Sequence, residues 1–139
     1  MIKEKILGVD FGDARTGLAV NVPGTSMAVG AGCIKSTNFR KTAEEVVRVA
    51  AEQNAVKLVV GIPLNMNGTE GPRAERCRNF AALVGELSGL PVEMLDERLT
   101  TVSAHNFLSA SGVSGKKRKE NVDELSATLI LQNYMDRHK

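Results

Sequence analysis

Lys5-Ile6-Leu7-Gly8-Val9-Asp10-Phe11 is a short β-rich run that stops at Gly12, and Thr16-Gly17-Leu18-Ala19-Val20-Asn21-Val22 is a second. Between them, Gly12-Asp13-Ala14-Arg15 suits a hairpin connection. The turn-like Pro23-Gly24-Thr25-Ser26 then leads to a third strand over about 28–35. Three antiparallel strands in succession therefore open the chain.

The pattern changes period after this opening. Phe39, Ala43, Val46, Val47, Ala50 and Ala51 recur at steps of three and four, which predicts a helix with Asn38 as its cap and Asn54 as its stop. Leu58-Val59-Val60-Gly61-Ile62, closed by Pro63, reads as a parallel strand covered on both faces. A polar loop with Asn65, Asn67 and Gly68 follows, then a helix from about Gly71 to Leu87. Pro72 falls in its first turn, and Cys77, Phe80, Val84 and Leu87 form its buried face. Pro91 to Leu95 is a further strand, Thr100 caps a short helix through Leu108, and residues 109–120 read as a mobile basic loop. A last helix is expected over about 122–136. Asn121 and Glu124 form its capping box, and Leu125, Leu129, Ile130 and Tyr134 its apolar stripe. The order βββαβαβαα over residues 1–139 predicts an α/β fold, a single domain with a mixed five-stranded sheet flanked by helices.

Composition narrows the function. The chain has 139 residues, 42% of them hydrophobic and 24% charged, which suits one domain with a core of its own. No apolar run reaches the roughly 18 residues of a membrane span, and Met1 to Lys5 lack a signal-peptide layout, so a cytoplasmic protein without a membrane partner is expected. Cys33 and Cys77 lack metal-ligand spacing and read as reduced, buried residues. The net charge is only +2, but the cations cluster: Lys116, Lys117, Arg118 and Lys119 in one block, and Arg73, Arg76 and Arg78 in another. Such clusters suit phosphate contacts as well as solvated surface. With no Trp, one Tyr and four Phe, base stacking is disfavoured, so a nucleic-acid partner would be read through backbone and shape.

Three acidic positions could carry chemistry. Asp10 lies near the carboxyl end of a buried strand, where α/β sheets bind ligands, and Gly8 and Gly12 allow close approach there. A purely structural Asp capping the next turn is the rival account. Asp96 and Glu97 follow the last strand and alternate in direction, so only one of the two can face a cleft beside Asp10. Asp123 is expected in the first turn of the last helix, stabilised by its N-terminal dipole. If the fold brings these ends together, the acids can hold one or two divalent ions for in-line phosphodiester hydrolysis, and no protein nucleophile is required. His105 and His138 offer no defensible catalytic layout.

Taken with these acids, four ordered blocks resemble the YqgF-type family of ribonuclease H-like proteins. The blocks are Gly8-Val9-Asp10-Phe11-Gly12 with Arg15 to Val20, Val60 to Gly68, Asp96-Glu97-Arg98-Leu99-Thr100-Thr101, and Val122-Asp123 leading to Ala127 and Ile130-Leu131. The similarity runs from about residue 6 to residue 135, with Ser126 standing where Ala is expected. The resemblance implies a ribonuclease H-like fold and a catalytic, metal-binding triad of Asp10, Glu97 and Asp123 that takes Mg²⁺ or Mn²⁺, with a fourth place left open for Asp96. It also implies nuclease action on structured RNA, in maturing the 5′ end of pre-16S rRNA, or resolution of branched DNA such as Holliday junctions. Arg15, Asn65, Asn67, Arg73, Arg76, Lys116, Lys117, Arg118 and Lys119 are the candidate nucleic-acid contacts. The protein could act as a monomer or a homodimer.

Two rivals fit parts of the pattern. An actin-like ATPase also carries Asp-x-Gly on its first strand, but it needs a second comparable domain that 139 residues do not provide. A non-catalytic nucleic-acid-binding module would account for the cations, yet acids facing phosphates repel them unless a metal intervenes.

Overall fold

The computed structural model describes residues 3–64, 67–96 and 115–137, with the backbone alone over 115–121. Five strands and three helices follow one another: β1 (Ile6–Asp10), β2 (Arg15–Asn21), β3 (Ala28–Lys35), α1 (Phe39–Glu52), β4 (Lys57–Ile62), α2 (Pro72–Ser88), β5 (Val92–Asp96) and α3 (Gly115–Arg137). The strands form one sheet in the order β3-β2-β1-β4-β5. β1 pairs antiparallel with β2, and β2 with β3, while β4 pairs parallel with both β1 and β5. The mixed five-stranded sheet expected from the sequence is therefore present. The carboxyl ends of β1, β4 and β5 lie along the same edge.

Alternation along the strands divides the core in two. On one face, Leu7, Val9, Leu18, Val20, Leu58 and Val60 pack with Ala43, Val46 and Ala50 of α1 and Cys77, Phe80 and Val84 of α2. On the other, Ile6, Ala19, Val59 and Leu95 pack against Ala127, Ile130, Leu131, Tyr134 and Met135 of α3. β4 is buried on both sides, which explains its unbroken apolar run. Each fully buried aliphatic or aromatic side chain contributes about 1.5–3 kcal/mol. Phe11 stacks on Phe80 at 4.1 Å between centroids, and Phe39 meets both rings edge-on. This trio joins the first strand to both helices of that face.

The helix ends obey their local chemistry. The Asn38 carboxamide oxygen accepts from the Lys41 N–H at 2.9 Å, which fixes the start of α1. Asn54 takes a left-handed φ of 57° just after α1, where Asn is tolerated better than most residues. Pro72 opens α2 after Gly71, and Gly89 ends it with φ 71° and an N–H donated to the Gly85 carbonyl. Asn21 is fully buried and does strand work: its Oδ1 accepts from the Ile6 N–H at 2.7 Å and its Nδ2 donates to the Glu4 carbonyl.

The structure corrects four expectations. α3 begins at Gly115, so Lys116, Lys117, Arg118 and Lys119 lie in a helix and not in a basic loop. Lys, Arg and Glu are good helix formers, and that preference extends the helix past the Asn121–Glu124 pair, which lies inside α3 and not at its start. The buried stripe of α3 runs through Ala127, Ile130, Leu131, Tyr134 and Met135; Leu125 and Leu129 are half-buried beside Val122. Cys33 is half-buried on β3 while Cys77 is buried, and neither forms a disulfide. The short helix expected from Thr100 to Leu108 lies outside the described residues. No helix among the described residues is long and apolar enough to cross a membrane.

Candidate active site on the α3 face of the sheet

Asp10 ends β1, and its register partner on β2 is Gly17. Residues opposite one another in an antiparallel pair share a face and stand about 4.5–5.5 Å apart at Cα. That face is the one α3 covers, because Ile6 and Gly8 of β1 and Ala19 of β2 point to it. Glycines let the helix settle deeply on it. A Cβ at Gly8 would stand 2.9 Å from Leu131 Cβ, and one at Gly17 would stand 1.8 Å from the Asp123 carbonyl oxygen. At Gly30 a Cβ would stand 2.4 Å from a Glu124 carboxylate oxygen. Gly17, the register partner of Asp10, thus brings the backbone of Asp123 down onto β2 beside the carboxyl end of β1. Asp123 reaches this place from the interior of α3, not from a first helical turn as the sequence suggested.

Arg15 opens β2 two residues before Gly17 and shares its face. Its Nε lies 3.3 Å from Asp123 Oδ2, with side chains 37% and 24% exposed. A guanidinium beside a half-buried carboxylate offsets part of the cost of taking its charge out of water. Arg15, named from the sequence as a candidate nucleic-acid contact, is paired here with Asp123.

Asp96 ends β5, one step beyond Leu95. Leu95 packs under α3, whereas Val92 and Met94 pack on the opposite core, so alternation puts Asp96 on the α1/α2 face, away from Asp10. Glu97 and Asn65 lie outside the described residues. Among the described residues, no three His, Cys, Asp or Glu side chains could together hold a metal ion. Asp10 and Asp123, on the same face of the sheet beside a glycine that admits close backbone approach, carry the hard-oxygen donors that suit Mg²⁺ or Mn²⁺.

The remaining candidates are distributed around the loop after β1. Arg76 of α2 lies over Phe39 and Phe11, at 4.9 and 5.7 Å from the ring centroids, and its Nε donates to Asp13 Oδ1. Arg73 is exposed and lines a pocket of about 220 Å³ with Phe11, Asp13, Pro72, Arg76 and Cys77. Arg78 forms a two-pronged pair with Glu70, at 2.6 and 2.5 Å, and this holds the Glu70 carboxyl below its ordinary range. Asn67 shapes its own turn: its Oδ1 accepts from the Thr69 N–H at 3.1 Å and from the Thr69 hydroxyl at 2.6 Å. Sequence reasoning gave Gly17 no role and overlooked Asp13. A glycine inside a strand is a signal of close backbone approach, and that signal was available at residue 17.

This sheet order, with helices on both faces, is that of a ribonuclease H-like fold. Thermus thermophilus RuvC, solved in complex with a Holliday junction substrate, matches it with a TM-score of 0.63 at 15% identity, covering 98% of this chain and 97% of that one. The Fowlpox virus resolvase, solved with its substrate Holliday junction DNA, matches with a TM-score of 0.58 at 13% identity, covering 96% and 98%. Residues 4–137 match the RuvX family, described as Holliday junction resolvase, and the chain belongs to that family. A relative from Ruminiclostridium cellulolyticum is 42% identical over 134 residues, 96% of this chain and 94% of its own length. Another from Heliobacterium modesticaldum is 43% identical over 132 residues, 95% and 89% of the two lengths. Both bear the name "Putative pre-16S rRNA nuclease".

Proposed function

We propose that residues 1–139 act as one metal-dependent endonuclease domain, and that its substrate is structured RNA at the 5′ end of pre-16S rRNA. The observation that carries the reading is the close approach of the Asp123 backbone to Gly17, the register partner of Asp10. Asp10 and Asp123 would hold Mg²⁺ or Mn²⁺, with Glu97, the third acid that the family resemblance implies, completing the set. A divalent ion bound there supplies an activated water and stabilises charge on the leaving 3′-oxygen. Asp10, on a rigid strand, fixes one side of the site, and Asp123, seated by Gly17, fixes the other. Arg73, Asn65, Asn67 and the cations Lys116, Lys117, Arg118 and Lys119 contact the nucleic-acid backbone, which fits a chain poor in aromatic residues. The name shared by the relatives supports the rRNA substrate, and that substrate implies the cytoplasm.

A second reading is resolution of branched DNA, favoured by the description of the family. A two-fold dimer would then suit a four-way junction, whereas a monomer suffices for trimming one RNA end. The test is cleavage of a labelled 16S leader RNA and a four-way DNA junction with Mn²⁺ or Mg²⁺, using wild type and Asp10→Asn. Metal-dependent cutting that vanishes in the variant supports the reading, and the preferred substrate decides between its two forms. Tight binding with no cutting of either would favour a non-catalytic binding module.

A further inference from the structure

The contact between Arg15 and Asp123 has a property that a simple strut lacks: it stands where the proposed metal must go. Arg15 reaches Asp123 Oδ2 through Nε at 3.3 Å, and both side chains retain access to solvent. The guanidinium rises from the same face of β2 as Gly17, whose register partner is Asp10. A divalent ion taken up by these carboxylates would bring two positive charges beside a third within a few ångströms. At such separations like charges repel strongly wherever water is partly excluded. A carboxylate oxygen bound to a metal is also a poorer acceptor for a guanidinium.

We propose that Arg15 is the counter-cation of Asp123 in the metal-free protein, and that the divalent ion displaces it on loading. The displaced guanidinium, planar and rich in donors, is then available for a backbone phosphate beside the acids. The exchange keeps the acids compensated before loading and couples metal binding to substrate capture. It rests on the reading of Asp123 as a metal ligand.

The experiment is calorimetric titration of Mn²⁺ into wild type, Arg15→Gln and Asp123→Asn without nucleic acid. A partly exposed pair of this kind is a modest competitor, so Arg15→Gln is expected to bind Mn²⁺ about fivefold more tightly than wild type. Its metal-free melting temperature should fall, and Mn²⁺ should raise it by more than in wild type. Unchanged or weaker Mn²⁺ binding in Arg15→Gln would overturn the exchange. Asp123→Asn separates the two ideas: if it binds Mn²⁺ as wild type does, the assignment of Asp123 as a ligand fails first. Nuclear magnetic resonance of the wild-type Arg15 Nε–H serves if Arg15→Gln does not fold. The signal should shift and exchange faster with water as Mg²⁺ is added, and a signal indifferent to Mg²⁺ would equally overturn the exchange.

Discussion

The backbone carbonyl of Asp123 rests on Gly17, so closely that a Cβ at residue 17 would stand 1.8 Å from its oxygen. The contact is between two backbones, and neither can yield as a flexible side-chain tip would. Gly17→Ala must therefore lift α3 from β2 or bend the strand, at a cost of about 3 kcal/mol. Urea denaturation should show that loss, and Mn²⁺ affinity should fall with it because Asp123 moves away from Asp10. Wild-type stability in Gly17→Ala would mean that the helix sits higher on the sheet than described here.

Arg76 and Arg73 share a helix but have different tasks. Arg76 is committed to Asp13 and to the Phe11 and Phe39 rings, so Arg76→Ala should cost about 1 kcal/mol of stability. It should leave the salt dependence of nucleic-acid binding unchanged. Arg73→Ala should leave stability alone and reduce the slope of log affinity against log salt by about one. Equal slopes for Arg73→Ala and wild type would remove Arg73 from the interface.

Ser126 is fully buried in α3, and among the described residues its hydroxyl has no hydrogen-bond partner. Alanine, the residue expected there from the family resemblance, removes an unsatisfied group and improves helix propensity. Ser126→Ala should raise unfolding free energy by about 1 kcal/mol in chemical denaturation, with cleavage unaltered. A loss of stability instead would mean that the hydroxyl bonds back to a carbonyl one turn earlier.

Glu70 closes an antiparallel bridge with Leu64 and is clamped by Arg78, whose hydrogen bonds depress its carboxyl below the ordinary range. A carboxylate with a lowered folded-state value contributes stability above its unfolded value, near about 4.3, and loses that contribution as pH falls through the folded value. Melting temperatures of wild type and Glu70→Gln should therefore differ at neutral pH. They should converge as the solution is acidified below that range. A difference that persists unchanged in acid would assign the effect to packing instead of charge.

Much of the architecture was legible before any coordinates. The unbroken run Leu58 to Ile62 reported a strand buried on both faces, and Asn38 and Asn54 bracketed α1 because each offers the backbone a specific local bond or conformation. Asp10 could be placed at a strand end by pattern alone. The start of α3 could not, since Ser114 and Gly115 mimic a loop and Asn121 with Glu124 mimics a cap, while the intervening Lys and Arg residues favour helix. The site itself was half legible. Local sequence marked Asp123 as a helix-start acid, but what positions it is a long-range contact with Gly17, and no periodicity within α3 reports that. The face taken by Asp96 likewise needed the phase of β5, which Leu95 fixes by packing under α3.

The central claim is that Asp10 and Asp123 jointly hold a divalent ion and Asp96 does not. Mn²⁺ binding followed by electron paramagnetic resonance, in wild type, Asp10→Asn, Asp123→Asn and Asp96→Asn, tests it most directly. Melting curves would confirm that each variant is folded. The account predicts that Asp10→Asn and Asp123→Asn each lose most of the bound Mn²⁺ while Asp96→Asn retains it. Full Mn²⁺ binding in either of the first two, or its loss only in Asp96→Asn, would contradict the account.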